Sequence, residues 1–161
     1  MAIRNSQLKR LNQVYVICSI DDAVDWDKSN KKEYLKTFDE KHLVLITGKE
    51  PTRFLCNFEL DAKSNSAIED AMVAGVDSHG RMRPGLGSYS LEIVRRVLKD
   101  IKNPDSVSAD DRLKFALNGD GTVSDDTLDR LSHLGVISEI SSAFTEATKG
   151  HILHNRADTK N

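Results

Sequence analysis

The sequence predicts an α+β fold, a small antiparallel sheet near the N-terminus followed by a mainly helical C-terminal half. Three observations carry that expectation. Runs rich in β-branched and aromatic residues fall within the first sixty positions, where that composition favours strands. Apolar residues at helical spacing dominate the remainder. The chain has 161 residues, enough for one core without room for a second domain of comparable size.

Residues 1–12 read as a basic arm, carrying Arg4, Lys9 and Arg10 and no acid. A single α+β domain is expected over 13–149, and a polar tail over 150–161. The first strand is "QVYVICSI", residues 13–20. Ser29 or Asn30 then caps a short helix bearing Tyr34, Leu35 and Phe38. "KHLVLITGKEPTRFLCNFEL" reads as a hairpin, with strands at 42–47 and 53–60 and a turn holding Gly48 and Pro51. Ser66 followed by Glu69 gives a reciprocal capping pattern for a helix over 66–76, with Ile68, Met72 and Val76 on one stripe. A helix over 90–102 is expected to bury Leu91, Val94, Val97, Leu98 and Ile101 before Asn103-Pro104 stops it. A shorter helix follows from Ser108 or Ala109 to Leu117. The last helical stretch opens at Ser124 with Asp125 and Asp126 in its first turn, where the helix dipole favours acids. Gly135 is placed to divide it.

Composition removes several classes of function. Lys and Arg total 23 against 25 Asp and Glu, a net charge of −2, so no overall field draws the chain to nucleic acid or an anionic membrane. No run of about 18 apolar residues occurs, and the chain reads as a soluble protein with no membrane span. The apolar stretch 14–20 is short and meets Asp21-Asp22, which fits a strand better than a leader. Cys18 and Cys56 each fall in an expected strand and read as reduced, buried thiols.

Four stretches offer chemistry. "NGDGTVS", residues 118–124, resembles a calcium loop in part, but aligning Gly121 puts Ala116 and Thr127 where the loop needs carboxylates, so a turn is expected. His151 and His154 in "HILH" lack the further ligands of a zinc site. "DDAVDWD" sets Asp21, Asp22, Asp25 and Asp27 around Trp26; no second ligand set accompanies them, and the group reads as an acidic loop with an aromatic anchor suited to protein contact. "DSHGRMRPGLGSYS", residues 77–90, carries Arg81, Arg83, Gly85 and Gly87 without the lysine of a phosphate loop or the strand of a dinucleotide loop. It reads as a connector that reaches a neighbouring molecule. Charge is polarised along the chain: residues 100–146 hold ten acids and four bases, residues 77–99 five bases and two acids. Head-to-tail contact between copies would use that polarity, with the arginines of the arm and loop facing either the 21–27 loop or the acid-rich helices.

The order of "VDWD", "YL" and "HLVLITGKEPTRFLCNFEL", then a capped helix, a loop, "LEIVRRVLKDIKNP" and "VSDDTLDRLSHLGVISEISSAF", resembles small proteins encoded among the morphogenesis genes of tailed bacteriophages, including the tail-assembly-chaperone-like group. The resemblance spans roughly residues 20–148 and rests on a "G-x-x-P-T-x-F" hairpin and an amphipathic C-terminal helix, with no catalytic signature. It implies a non-enzymatic structural or assembly protein of the virion or its tail, without cofactor or metal. Its partners would be other copies and other phage structural proteins, met in the virion or in the host cytoplasm during assembly. No small-molecule substrate, nucleic acid or membrane partner is expected. The protein-contact candidates are Arg4, Arg10, Trp26, Arg81, Arg83, Gly85 and Gly87. Two alternatives stand beside this reading: an inhibitor or adaptor of a host protein, and a small anion- or nucleotide-binding enzyme using the 80–90 loop.

Overall fold

The computed structural model describes residues 11–74, 79 and 87–159. Its sheet has β2 (Arg53–Cys56) at the centre, flanked by β1 (Val14–Val16) and β3 (Leu98–Lys102), and both pairings are antiparallel. The helices are α1 (Lys31–Thr37), α2 (Ala62–Ala74), α3 (Gly87–Val97), α4 (Asp125–His133) and α5 (Val136–Thr159). The protein is therefore α+β, with one strand drawn from its second half.

That third strand corrects the expected helix over 90–102. The chain leaves α3 at Val97 and enters β3 directly. Leu55 faces Asp100 while Cys56 faces Leu98, so Lys99 is the extra residue of a β-bulge. The bulge leaves buried Leu98 and Ile101 three apart, a spacing that in sequence imitates the next turn of a helix. Val94, Val97 and Leu98 are fully buried as expected, and Ile93, which the stripe omitted, joins them.

The expected strand over 42–47 does not pair with β2. The Asp39 carboxylate accepts from Lys41 N and starts a 3-10 turn at Glu40–His42. Arg53 on β2 holds that turn through Glu40, with Nη2–Oε1 at 2.8 Å. The chain beyond it instead meets the acidic loop, in a bridge between Val24 and Leu45. The helix expected from 108 to 117 is a single turn: Ser108 O accepts from Asp111 N and Arg112 N, and nothing propagates it. Asn103 explains the arrest, since its amide accepts from Leu113 N at 2.9 Å and donates to Leu113 O at 3.0 Å, holding that residue as a neighbouring strand would. The α2 helix starts earlier than the expected 66–76, because the Asp61 carboxylate accepts from Ser64 N at 2.7 Å; Ser66 and Glu69 lie inside it. Ile68 is buried, but Met72 is exposed rather than part of a covered stripe.

Other start and stop signals act as expected. Asn30 caps α1 by accepting from Glu33 N, and Ser124 caps α4 by accepting from Thr127 N. Gly135, at φ 72°, separates α4 from α5. Leu11, placed in the arm by its neighbours, is buried, and its carbonyl accepts from Phe58 N at 2.7 Å. The α5 backbone continues as helix to Thr159, through the stretch expected to be a polar tail.

Two apolar clusters result. The larger joins the inner face of the sheet (Val14, Val16, Phe54, Cys56) to α3, α4 and α5. The smaller comprises Ile17, Val24, Tyr34 and Leu43, with Trp26 and Phe38 against it. A file of edge-on rings connects them: Tyr34–Phe38, Phe38–Phe58 and Phe58–Phe144, with centroids 5.9, 5.8 and 5.6 Å apart. Tyr34 also closes the outer edge of β1. Its hydroxyl donates to Tyr15 O at 2.8 Å and accepts from Ile17 N at 3.0 Å, taking the two backbone groups that another strand would otherwise use.

Candidate functional site

Past the end of β1 the chain turns into the acidic loop, and this loop, α1 and the first turns of α5 enclose a groove of about 210 Å³. Its walls are unlike. Ile17, Trp26 and Leu35 make one side apolar, whereas Ser142, Glu139 and Glu146 make the α5 side polar and acidic. Trp26 is half-buried; its Nε1 donates to Asp21 O at 3.2 Å, and Lys31 Nζ stands 5.6 Å from the ring centroid. Glu139 ties α5 to the end of β1, accepting from Ser19 N at 2.9 Å and from Ser19 Oγ.

The four aspartates of the loop do not converge on an ion. Asp21 organises the backbone, accepting from Ala23 N at 3.0 Å and Thr52 N at 2.7 Å. Asp22 pairs with Lys49 at 3.0 Å, and Asp25 with Lys28 at 3.8 Å. Among the described residues no group of three or more metal-ligating side chains is assembled. Likewise, 118–124 forms a turn closed by the Leu117–Val123 bridge, with Gly121 at φ 83°. The Asp120 carboxylate accepts from Thr122 Oγ1 at 2.6 Å and Thr122 N at 3.0 Å, and these bonds lower its pKa below the usual aspartate value. Cys18 and Cys56 are free and buried. Burial pushes both thiols well above the usual cysteine range, and the nearby Glu139 carboxylate pushes Cys18 further in the same direction, so neither is poised as a nucleophile.

A second feature is the segment that bridges to Val24 through Leu45. Val44, Leu45 and Ile46 are 40, 41 and 40 % exposed. Their backbone is nevertheless held: Val44 O accepts from Asp25 N, Ile46 N donates to Ala23 O, and Val44 N donates to Ser29 Oγ, each at 2.8 Å. Neighbouring side chains of an extended segment point to opposite faces, so similar exposure at all three leaves both faces of this ridge open. Ile20, 61 % exposed, borders a separate hollow of about 220 Å³ that also includes Phe54 and Leu134.

Of the predicted contact residues, Trp26 lies in the groove and Gly87 opens α3; Arg4, Arg10, Arg81, Arg83 and Gly85 lie outside the described residues, as does most of the 77–90 loop. The side chains of His151 and His154 are also outside them. Sequence reasoning missed Glu139, Glu146 and the 44–46 ridge. The acids carried a signal, since residues seven apart share a helix face. The ridge carried a misleading one, because three successive apolar residues read as a buried strand. No family model, curated protein or solved structure matches the chain.

Proposed function

We propose that this chain is a non-enzymatic assembly protein acting through protein–protein contacts, with the virion or tail of a tailed bacteriophage as its setting. One observation supports the contact chemistry: Val44, Leu45 and Ile46 each keep about two fifths of their surface exposed, on a backbone that is hydrogen-bonded in place. Apolar side chains held in this manner lose little conformational freedom when a partner covers them, so burial of their surface goes largely to association. The phage setting rests on the resemblance of residues 20–148. In this reading the partners are further copies of the chain and other structural proteins of the particle.

Mass spectrometry of purified particles and of their assembly intermediates tests the reading. The chain is expected at a fixed copy number in one of them. Its absence from both, together with one tight complex with a host protein, would replace this reading with that of an inhibitor or adaptor.

A further inference from the structure

Of the two receptors the sequence suggests for a basic segment, the acid-rich C-terminal helices supply the acids of the groove, while the 21–27 loop contributes Trp26 and none of its aspartates. Those acids are Glu139 and Glu146. We propose that this groove receives the basic N-terminal arm of a second copy of the chain, an inference that rests on the assembly reading and names the contact it uses.

Charge complementarity supplies the occupant. Neither Glu139 nor Glu146 forms an ion pair among the described residues. Two helical turns separate them, about 10.5 Å along α5, and Lys31 stands at the Trp26 side, so the α5 wall is where an incoming cation is favoured. Residues 1–10 contain Arg4, Lys9 and Arg10 without an acid, and Ile3 and Leu8 among them. Arginine forks suit the carboxylates, and the aliphatic side chains suit the wall made by Ile17, Trp26 and Leu35.

Geometry favours a second copy over the chain's own arm. Leu11 is fixed at the far end of β1, where its N–H donates to Glu59 Oε1 at 3.0 Å, whereas the groove opens beyond Val16. At strand spacing the groove lies about 16 Å from Leu11; Arg10 and Lys9 are one and two residues from that fixed point and fall short of it, so folding back would bring only Arg4 to the chain's own groove, whereas the arm of a second copy can present all three.

Trp26 is the one tryptophan of the sequence and reports on the groove. The test measures sedimentation and tryptophan emission of the full-length chain over a concentration series, for the wild type, Glu146→Arg, and Arg4→Glu with Arg10→Glu. Self-association is expected in the wild type, accompanied by a shift of Trp26 emission to shorter wavelength. Each variant should weaken association about tenfold, the scale of one or two partly exposed ion pairs. An equimolar mixture of the two variants should restore it to within about threefold of wild type, since the unaltered arm of Glu146→Arg then meets the unaltered groove of the Arg4, Arg10 variant. The unfolding midpoint of Glu146→Arg should match the wild type, because Glu146 is exposed.

Association that survives both reversals overturns the groove assignment and leaves the assembly reading standing. A chain that stays monomeric with constant emission overturns it too, and particle composition then judges the assembly reading separately. An emission shift that is independent of concentration and lost in the Arg4, Arg10 variant places the arm on its own groove, which also overturns the proposal.

Discussion

The α3–β3 region and the 17–46 region both carry abundant apolar side chains, and they use them differently. In the first, Ile93, Val94, Val97 and Leu98 are fully buried against the sheet and α5. In the second, Ile17, Val24 and Leu43 form a small cluster around Tyr34, while Val44, Leu45 and Ile46 stay about 40 % exposed. The comparison separates two tasks that hydropathy alone merges. One region packs its apolar side chains into the main core, and the other combines a small cluster with an exposed ridge whose backbone is hydrogen-bonded in place.

The largest expected effect lies in the first region. Leu98→Ala or Val94→Ala should lower the unfolding free energy by about 2–4 kcal/mol in urea, through lost burial and a residual cavity. A loss below about 1 kcal/mol at both sites would mean that this packing is not what stabilises the fold. Tyr34→Phe comes next, because it strips partners from Tyr15 O and Ile17 N while keeping the ring in its cluster. It should cost about 1–3 kcal/mol, and exchange of the Ile17 amide should speed up more than that of amides in α3. Equal acceleration across the chain would merge the two regions into one unit.

Smaller effects sharpen the boundary. Ser124→Ala should cost about 1 kcal/mol by removing the α4 cap, whereas Asn30→Ala should affect α1 and the 17–46 region first, as read by site-resolved exchange. Acid provides a further contrast. The carboxyls of Asp39, Asp61 and Asp120 are held below the usual aspartate value, Asp39 by the Lys41 amide and Asp61 by the Ser64 amide. A lowered folded pKa means that the stabilisation is present above about pH 4 and is lost as pH falls through the folded values. NMR titration should therefore show these three protonating after the average carboxyl; protonation at ordinary values would contradict the hydrogen bonds assigned to them.

Much of this organisation was legible beforehand. Asn30, Ser124 and Gly135 act locally, through caps and a positive φ, so their meaning survives without tertiary context. Leu98 and Ile101 were identified as core yet assigned to the wrong element, because the Lys99 bulge gives a strand the three-residue spacing of a helix. The ridge was misread for a related reason: pairing with Val24 instead of β2 depends on Asp39, Glu40 and Arg53 meeting across the fold. Within the groove, Trp26 stood out as an aromatic among acids, but nothing local joins it to Glu139 and Glu146, more than a hundred residues away.

The most direct test of the two-region account is the unfolding free energy of a variant carrying Leu45→Thr and Ile46→Thr. Threonine is β-branched, as Ile46 already is, and suits the extended backbone while removing most of the apolar surface. The account predicts a change within about 1 kcal/mol of wild type, as for surface substitutions that break no buried contact. A loss of about 3 kcal/mol or more, the scale of the Leu98→Ala substitution, would show that the ridge is part of the core and contradict its assignment as a contact surface.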